Sequence, residues 1–203
     1  MSLALLDWRR RVAELYGNVR TSADPAEAHA AWREGRDELL RSHPESPVRQ
    51  EERSSFPGAR YGSYDPAMRF EAEVDVDVSP VVIDIATGTD GIVSFRRFGR
   101  VDLGELGGLD VWWLLGYGGG VFVPFADPHP ETYSGGRYVL DTVKGADLGG
   151  SVDLATGRGR LVVDLNFAFN PSCAYDPAWA CPLAPPGNRL LGPVGAGERI
   201  PPP

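Results

Sequence analysis

The sequence predicts a mainly β protein of the α+β class, an antiparallel β-barrel or sandwich preceded by two N-terminal helices. Glycine (25 residues) and proline (18 residues) are abundant in a chain of 203, which favours many turns and short strands. Apolar residues recur with a helical period only near the N-terminus. Over most of the chain after residue 68 they alternate with polar residues, as they do in half-buried strands.

The two helices are predicted over residues 2–19 and 24–42. The second helix has clear start signals, because Asp24 can cap it, Pro25 suits its first turn and Glu27 completes a capping box. The first helix is indicated by one apolar stripe with steps of three and four residues. This stripe contains Leu5, Trp8, Val12, Leu15 and Val19.

Eight short strands are predicted in the remainder of the chain. The alternation is clearest in the first, where five apolar residues from Phe70 to Val78 share one face and acidic residues occupy the other. Turns are expected at residues 89–91, 118–120 and 156–159, where glycine is present. The predicted strands cover residues 70–78, 81–85, 92–98, 109–117, 121–125, 137–141, 151–154 and 161–169.

The domain organisation follows from the change from a helical period of apolar residues to strand-like alternation. Residues 1–50 are expected to form a helical segment that packs on the main domain. Residues 51–203 are expected to form the antiparallel β domain, which ends in a proline-rich tail. The length is that of one structural domain overall.

Charge and hydropathy restrict the partners and the compartment. The net charge of −8 makes nucleic acid an unfavourable partner. Residues 3–6 form an apolar run that is too short for a secretory signal, and no stretch has the length of a membrane span. Two cysteines do not make a disulfide framework. The sequence therefore predicts a cytoplasmic protein with neither a nucleic-acid nor a membrane partner.

The candidate ligand site comes from the polar faces of two predicted strands. An unbroken strand over residues 161–170 would place Asp164, Asn166 and Asn170 on one face. Arg137 lies on another predicted strand, and its guanidinium would favour a carboxylate or phosphate ligand. The alternative is that these polar faces simply contact water. The predicted lining consists of Tyr133, Arg137, Lys144, Asn166, Asn170 and Tyr175.

The cysteines and glycines give no cofactor motif. Cys173 and Cys181 lack the paired spacing of a zinc site, and the three histidines are not clustered, so no metal is predicted. The two thiols are expected to be reduced and mostly buried. The glycine run at 118–120 lacks the spacing of a phosphate-binding loop and is expected to be a bend. No cofactor is predicted.

Longer motifs in the chain resemble a known family. They include Trp-Leu-Leu-Gly-Tyr-Gly-Gly-Gly at 113–120, Glu-Thr-Tyr-Ser-Gly-Gly-Arg-Tyr at 131–138 and Asn-Pro-Ser-Cys-Ala-Tyr at 170–175. Further motifs that carry the same resemblance lie at residues 32–37, 43–47, 122–127, 140–149, 164–169 and 181–190. With these motifs the chain resembles the bacterial family known as domain of unknown function 1684. The resemblance implies no established activity.

Three classes of function remain compatible with the sequence. The first is a small-molecule site, binding or catalytic, in a polar cleft of the β domain, with an anionic ligand. The second is a structural or protein-interaction domain, whose polar motifs only hold loops together. The third is metal-dependent catalysis, which is weakened because only His129 lies in the β region. The sequence does not decide whether the protein is an enzyme.

Overall fold

Two helices begin the chain, as predicted. The computed structural model describes residues 2–87 and 91–202. Helix α1 spans Leu3–Thr21 and α2 spans Pro25–Ser42. The predicted cap of α2 is present, because the Asp24 carboxylate accepts hydrogen bonds from the backbone N–H groups of Ala26 and Glu27. The turn predicted at 89–91 falls largely on residues 88–90, which lie outside the described residues.

In the part of the chain that the structure describes, eight antiparallel strands form two sheets. One sheet has three strands in the order β1-β8-β7, and the other has five strands in the order β2-β3-β4-β5-β6. The barrel alternative is wrong for the part of the chain described, because neither sheet closes on itself. The strands are β1 Arg69–Glu73, β2 Val82–Thr87, β3 Gly91–Asp102, β4 Gly108–Leu115, β5 Gly120–Phe125, β6 Arg137–Asp141, β7 Gly150–Val152 and β8 Gly159–Asp164.

The first predicted strand is shorter than its alternation suggests. It was expected to reach residue 78, but β1 ends at Glu73. The cause is local, because the Asp75 carboxylate accepts a hydrogen bond from the backbone N–H of Asp77 at 2.9 Å. Such a turn competes with the ladder of a sheet. Beyond Glu73 the Val74 N–H still donates to the Gly159 carbonyl, and Asp75 forms an isolated bridge with Arg100 of β3.

The last predicted strand ends early for the same reason. Strand β8 stops at Asp164, whose carboxylate accepts a hydrogen bond from the Asn166 backbone N–H at 3.0 Å. A 3-10 helix follows over Leu165–Phe167. The predicted period-two alternation over 161–170 is therefore wrong beyond Asp164. Three consecutive residues, Leu165, Asn166 and Phe167, are all buried instead.

The main core lies between the helices and the two sheets. Trp32 of α2 packs edge-on against Phe167 with ring centroids 5.3 Å apart, and against Tyr16 of α1 at 6.1 Å. From the sheets, Val163 and Val111 enter the same core. A second, smaller aromatic cluster covers the opposite face of the five-stranded sheet. It contains Phe95, Trp112, Phe122 and Tyr138.

The C-terminal region is irregular, as predicted, but much of it is buried. Asn188 bridges into the five-stranded sheet, where its amide donates to the carbonyls of Asp110 and Pro124 and accepts from the Trp112 indole. Further along, Val194 and Glu198 are fully buried. No helix within residues 2–87 and 91–202 is both long and apolar enough to cross a membrane.

Candidate functional site

Arg137 lies inside the protein. Its side chain is 1% exposed and forms an ion pair with Asp127 at 2.7 Å. The same guanidinium donates hydrogen bonds to the backbone carbonyls of Val194, Ala196 and Glu198. Arg137 therefore fastens the C-terminal segment to strand β6.

Asn170 lies beside a second buried ion pair. The Glu198 carboxylate accepts from the Asn170 backbone N–H at 3.0 Å and from the Arg36 guanidinium at 2.9 Å. The Asn170 amide donates to the carbonyl of Arg199. Burial raises the pKa of Glu198, and the charge of Arg36 acts against this rise.

Asn166 makes a third internal network. Its side-chain carbonyl accepts from the Asp65 backbone N–H, and its amide donates to the Asp65 carbonyl, both at 2.8 Å. The amide also donates to the Asp164 carboxylate at 2.8 Å. Asn166 thus ties the loop before β1 to the end of β8.

The other three predicted site residues make separate contacts. The hydroxyl of Tyr133 donates to the sulfur of Cys173 at 3.7 Å. Lys144 is exposed and pairs with Asp141 at 3.5 Å, near enough to Cys181 to influence that thiol. Tyr175 is half-buried and packs edge-on against Phe56. Arg137, Asn166 and Asn170 are thus engaged in internal networks, while Tyr133 and Lys144 surround the cysteine pair.

A cavity of about 310 Å³ opens between the C-terminal end of α1, the start of α2 and the three-stranded sheet. Apolar and polar side chains line it in nearly equal number. Val19, Leu148, Val162 and Phe167 supply the walls. Arg20, Ser22, Arg69 and Asp164 supply the polar groups.

Two arginines give this cavity a positive rim. Arg20, at the end of α1, is held by Asp147, whose carboxylate lies 3.7 Å away. Arg69, at the start of β1, donates to Glu71 at 2.9 Å. In each guanidinium these contacts use Nη1, and neither Nη2 atom has a hydrogen-bond partner among the residues that the structure describes.

Asp164 supplies the negative group of the cavity. Its side chain is almost fully buried, and its carboxylate lies 3.9 Å from Nε of Arg69. Burial raises the pKa of Asp164, while the hydrogen bonds from Asn166 and the charge of Arg69 act in the opposite direction. The carboxylate is therefore held in a fixed position by Asn166, with its second oxygen towards Arg69.

His29 lies behind the cavity wall. Its ring packs edge-on against Phe167 at 5.3 Å and stacks on Trp32 at 5.9 Å. Burial lowers the pKa of His29 to about 4, with a smaller contribution from the charge of Arg33. The imidazole is thus neutral near pH 7. Its Nε2 atom has no hydrogen-bond partner within the described residues.

The two cysteines are free and half-buried, so they are less deeply buried than expected. Across residues 2–87 and 91–202, no group of three or more His, Cys, Asp or Glu side chains is arranged to hold a metal ion.

The cavity residues were missed because their signals are weak in the sequence. Arg20 is a charged residue near a helix end, and Arg69 precedes an alternating strand, so both look like ordinary surface residues. Asp164 was recognised as a polar-face residue, although its partners were not. Only the packing of α1 on the three-stranded sheet brings the two arginines to one cavity.

Comparison with known proteins places the chain in a family. The sequence profile described as Protein of unknown function (DUF1684) matches residues 54–199. Among solved structures, the chain is similar to an uncharacterized protein from Haloarcula marismortui determined by solution NMR, with 32% identity and a TM-score of 0.56. That match covers 84% of this chain and 91% of the other. No curated protein matches the chain. Because the profile spans well over half of its length, the chain belongs to the DUF1684 family, as its motifs indicated.

Proposed function

We propose that the protein binds a small anionic molecule in the cavity between α1 and the three-stranded sheet. The observation that carries this proposal is the pair Arg20 and Arg69, which line one cavity and each keep an unpaired Nη2 atom within the described residues. Guanidinium groups bind carboxylates and phosphates through two parallel hydrogen bonds.

The shape of the cavity supports a small ligand. Its volume of about 310 Å³ lies near the lower end of the range typical of small-molecule sites. The cavity combines apolar side chains with charged groups that can orient a ligand. We infer a ligand with one carboxylate or phosphate group and a small apolar part that contacts Val162 and Phe167.

The predicted site residues take a supporting role in this proposal. Asn166 holds the Asp164 carboxylate at the cavity through a hydrogen bond of 2.8 Å. Asp164 would repel a second negative charge on the ligand, so it favours monoanions over polyanions. Arg137 and Asn170 stabilise the C-terminal segment and do not line the cavity.

The test is a thermal-shift experiment with sodium phosphate and sodium acetate, each compared with sodium chloride at equal ionic strength. We expect one of the anions to raise the melting temperature of the wild-type protein, because a ligand of the folded state stabilises it by mass action. Arg20→Gln and Arg69→Gln should each remove this rise, since each loses one guanidinium of the pair.

Arg158→Gln is the matched control. Arg158 lies between strands of the same sheet but is 74% exposed and outside the cavity. It should keep the full rise in melting temperature. An equal rise in all three variants, or no rise above that with chloride, would contradict the proposal.

The cellular setting is proposed on the basis of the sequence. We infer a cytoplasmic protein that binds neither nucleic acid nor membranes. Its acidic charge and its two reduced cysteines support this setting. We also propose that the helices and both sheets form one domain, with the sheets arranged as an open sandwich, because Trp32, Val111 and Val163 share one core.

The alternative function is protein interaction through the five-stranded sheet. Strand β2 is an edge strand, and Val82 on it and Ile92 on β3 are exposed to 52% and 73%. Exposed apolar residues on a sheet edge favour pairing with another chain. Sedimentation equilibrium of the wild type and of Ile92→Lys distinguishes this alternative. Self-association that the lysine abolishes would support it.

A further inference from the structure

Asp164 brings a hydrogen-bond acceptor without a donor to the cavity between α1 and the three-stranded sheet. Its side chain is 2% exposed, and its Oδ1 atom accepts from both the backbone N–H and the amide of Asn166. The other oxygen, Oδ2, lies 3.9 Å from Nε of Arg69, which is too far for a hydrogen bond. No residue that the structure describes donates a hydrogen bond to Oδ2. Because buried polar atoms rarely lack a partner, Oδ2 is the oxygen to which a ligand can donate.

The other polar side chains of the cavity are either satisfied or cationic. The Ser22 hydroxyl donates to the carbonyl of Asp24 and accepts from the backbone N–H of the same residue. Arg20 and Arg69 each keep an Nη2 atom that lacks a partner within residues 2–87 and 91–202. A ligand in this cavity therefore meets cationic donors from two arginines and an anionic acceptor from Asp164.

The charge of Asp164 acts on a ligand more strongly than the charges of the other nearby carboxylates. Asp147 beside Arg20 and Glu71 beside Arg69 do not line the cavity, and their side chains are 47% and 58% exposed. Water and salt screen such exposed charges. The carboxylate of Asp164 is almost fully buried and is screened much less, so it is a fixed negative charge beside the Arg69 guanidinium.

We propose, on the basis of the anion site proposed above, that this cavity binds a small α-amino acid. The carboxylate of the ligand pairs with the guanidiniums of Arg20 and Arg69, and its ammonium group donates to Oδ2 of Asp164. A simple monocarboxylate would leave Oδ2 without a donor and would place a second negative charge close to it. A phosphate monoester is less favourable still, because it carries more than one negative charge near neutral pH.

The distance between Arg69 and Asp164 sets the spacing of the charged groups on the ligand. Nε of Arg69 lies 3.9 Å from Oδ2 of Asp164, and Nη2 belongs to the same guanidinium. A ligand that contacts both side chains carries its two charges close together, as an α-amino acid does on one carbon atom. Val162 and Phe167 add apolar surface, and the volume of about 310 Å³ favours a small apolar side chain on the ligand.

The test is an NMR titration of the 203-residue chain, labelled with nitrogen-15, at constant ionic strength. The ligands are L-alanine, β-alanine, whose ammonium group is one carbon farther from the carboxylate, and sodium propionate, which has no ammonium group. We expect L-alanine to bind roughly tenfold more tightly than the other two, because it alone satisfies Oδ2 while its carboxylate stays on the guanidiniums. The saturating shifts should include the amides of Gly149, Gly150 and Val162.

Asp164→Asn separates the contact of the ammonium group from the contact of the carboxylate. The asparagine keeps the shape and can accept from Asn166 through Oδ1, but it presents an NH₂ donor in place of Oδ2. This variant should bind L-alanine roughly tenfold more weakly, and propionate at least as tightly as the wild type does. Asp75→Asn is the matched control, because Asp75 forms the same turn with the Asp77 N–H but lies outside the cavity. It should keep the wild-type affinity for L-alanine.

The outcomes separate the class of ligand from the anion site. If wild-type protein binds propionate or β-alanine as tightly as L-alanine, the amino-acid ligand is overturned and the anion site stands. If none of the three gives saturating shifts at the cavity, both proposals fail. L-alanine binding that survives Asp164→Asn, or that Asp75→Asn weakens equally, would overturn the role of Asp164. Should Asp164→Asn lack the spectrum of a folded protein, the three ligands compared on the wild type still decide the class of ligand.

Discussion

At the scale of single residues, Asn166 joins segments that are 101 positions apart. Its amide satisfies both backbone groups of Asp65 and also binds the Asp164 carboxylate. We expect Asn166→Ala to lower the free energy of unfolding by about 2–3 kcal/mol, because three hydrogen bonds are lost and the buried Asp164 carboxylate loses a partner. Urea denaturation followed by circular dichroism measures this change.

Asn18→Ala is the control for this substitution. Asn18 is an exposed residue of α1, so its loss should change the unfolding free energy by less than about 0.5 kcal/mol. A comparably small effect of Asn166→Ala would show that the network around Asp65 adds little to stability.

The network of Asn166 explains why residue patterns were only partly informative. The sequence indicated a polar cluster from the period of a strand, and Asn166 does share a network with Asp164. It could not indicate Asp65 as a partner, because nothing in the local pattern links residues so far apart. Arg137 was expected at a ligand, but its partners are the carbonyls of Val194 and Ala196 in the irregular C-terminal region.

At the scale of elements, the C-terminal segment passes close to the loop before β1. The Gly62 backbone N–H donates to the Gly197 carbonyl at 2.8 Å, and a Cβ at position 62 would lie 1.9 Å from the Gly195 carbonyl oxygen. We expect Gly62→Ala to destabilise the protein by about 3 kcal/mol, because two backbone segments must move apart. The midpoint of thermal or urea unfolding measures the loss.

Gly17→Ala provides the opposite expectation. Gly17 lies inside α1, and the nearest atom to an added Cβ is 3.8 Å away, at the end of the Arg20 side chain. Alanine should stabilise the protein there by about 0.5–1 kcal/mol, because glycine is the poorer helix former. If Gly62→Ala also stabilised the protein, the backbone segments at residues 62 and 195 could not lie as close together as the structure shows.

Elements were predicted well where their signals are local and less well where they end. Both helices and all eight strands are present near their predicted positions, because capping residues and alternation act over a few residues. The ends of β1 and β8 were misplaced because Asp75 and Asp164 form turns with their own side chains. Alternation predicts that an aspartate in a strand faces outward. Its carboxylate can instead accept a hydrogen bond from the backbone N–H two residues later, which ends the strand.

At the scale of the whole molecule, His29 reports on the packing of α2 against the sheets. Its pKa is lowered from 6.5 to about 4, so the unfolded chain binds a proton that the folded chain does not in this range. Stability should therefore fall as the pH falls from 6.5 to 4, by about 2 kcal/mol at pH 5. Unfolding free energies of the wild type and of His29→Gln at pH 7.5 and pH 5 measure this.

The comparison of the wild type with His29→Gln isolates the contribution of His29. The carboxylates titrate in both proteins, so their effect on the unfolding free energy cancels in the difference. The wild type should lose about 2 kcal/mol more than His29→Gln between these pH values, whatever the absolute stability of the variant. Parallel losses in the two proteins would place His29 in contact with solvent in the folded state.

Only the assembled molecule shows the candidate cavity. Arg20 belongs to α1 and Arg69 to β1, and each forms an ion pair that is ordinary for a surface residue. Their shared cavity depends on how α1 crosses the three-stranded sheet, which no pattern in either segment specifies. The fold class and the family could thus be predicted from the sequence, whereas the site required the tertiary packing.

The buried C-terminal segment has a consequence for the time at which this protein can fold. Arg36 of the second helix and Arg137 of β6 both find their buried partners in residues 194–198. During synthesis these partners leave the ribosome well after α2 and strand β6. Until then the guanidinium of Arg137 and the core around Trp32 lack the groups that complete them. The helices can form as they emerge, but the native arrangement around Arg36 and Arg137 is reached only after residue 198 has left the ribosome.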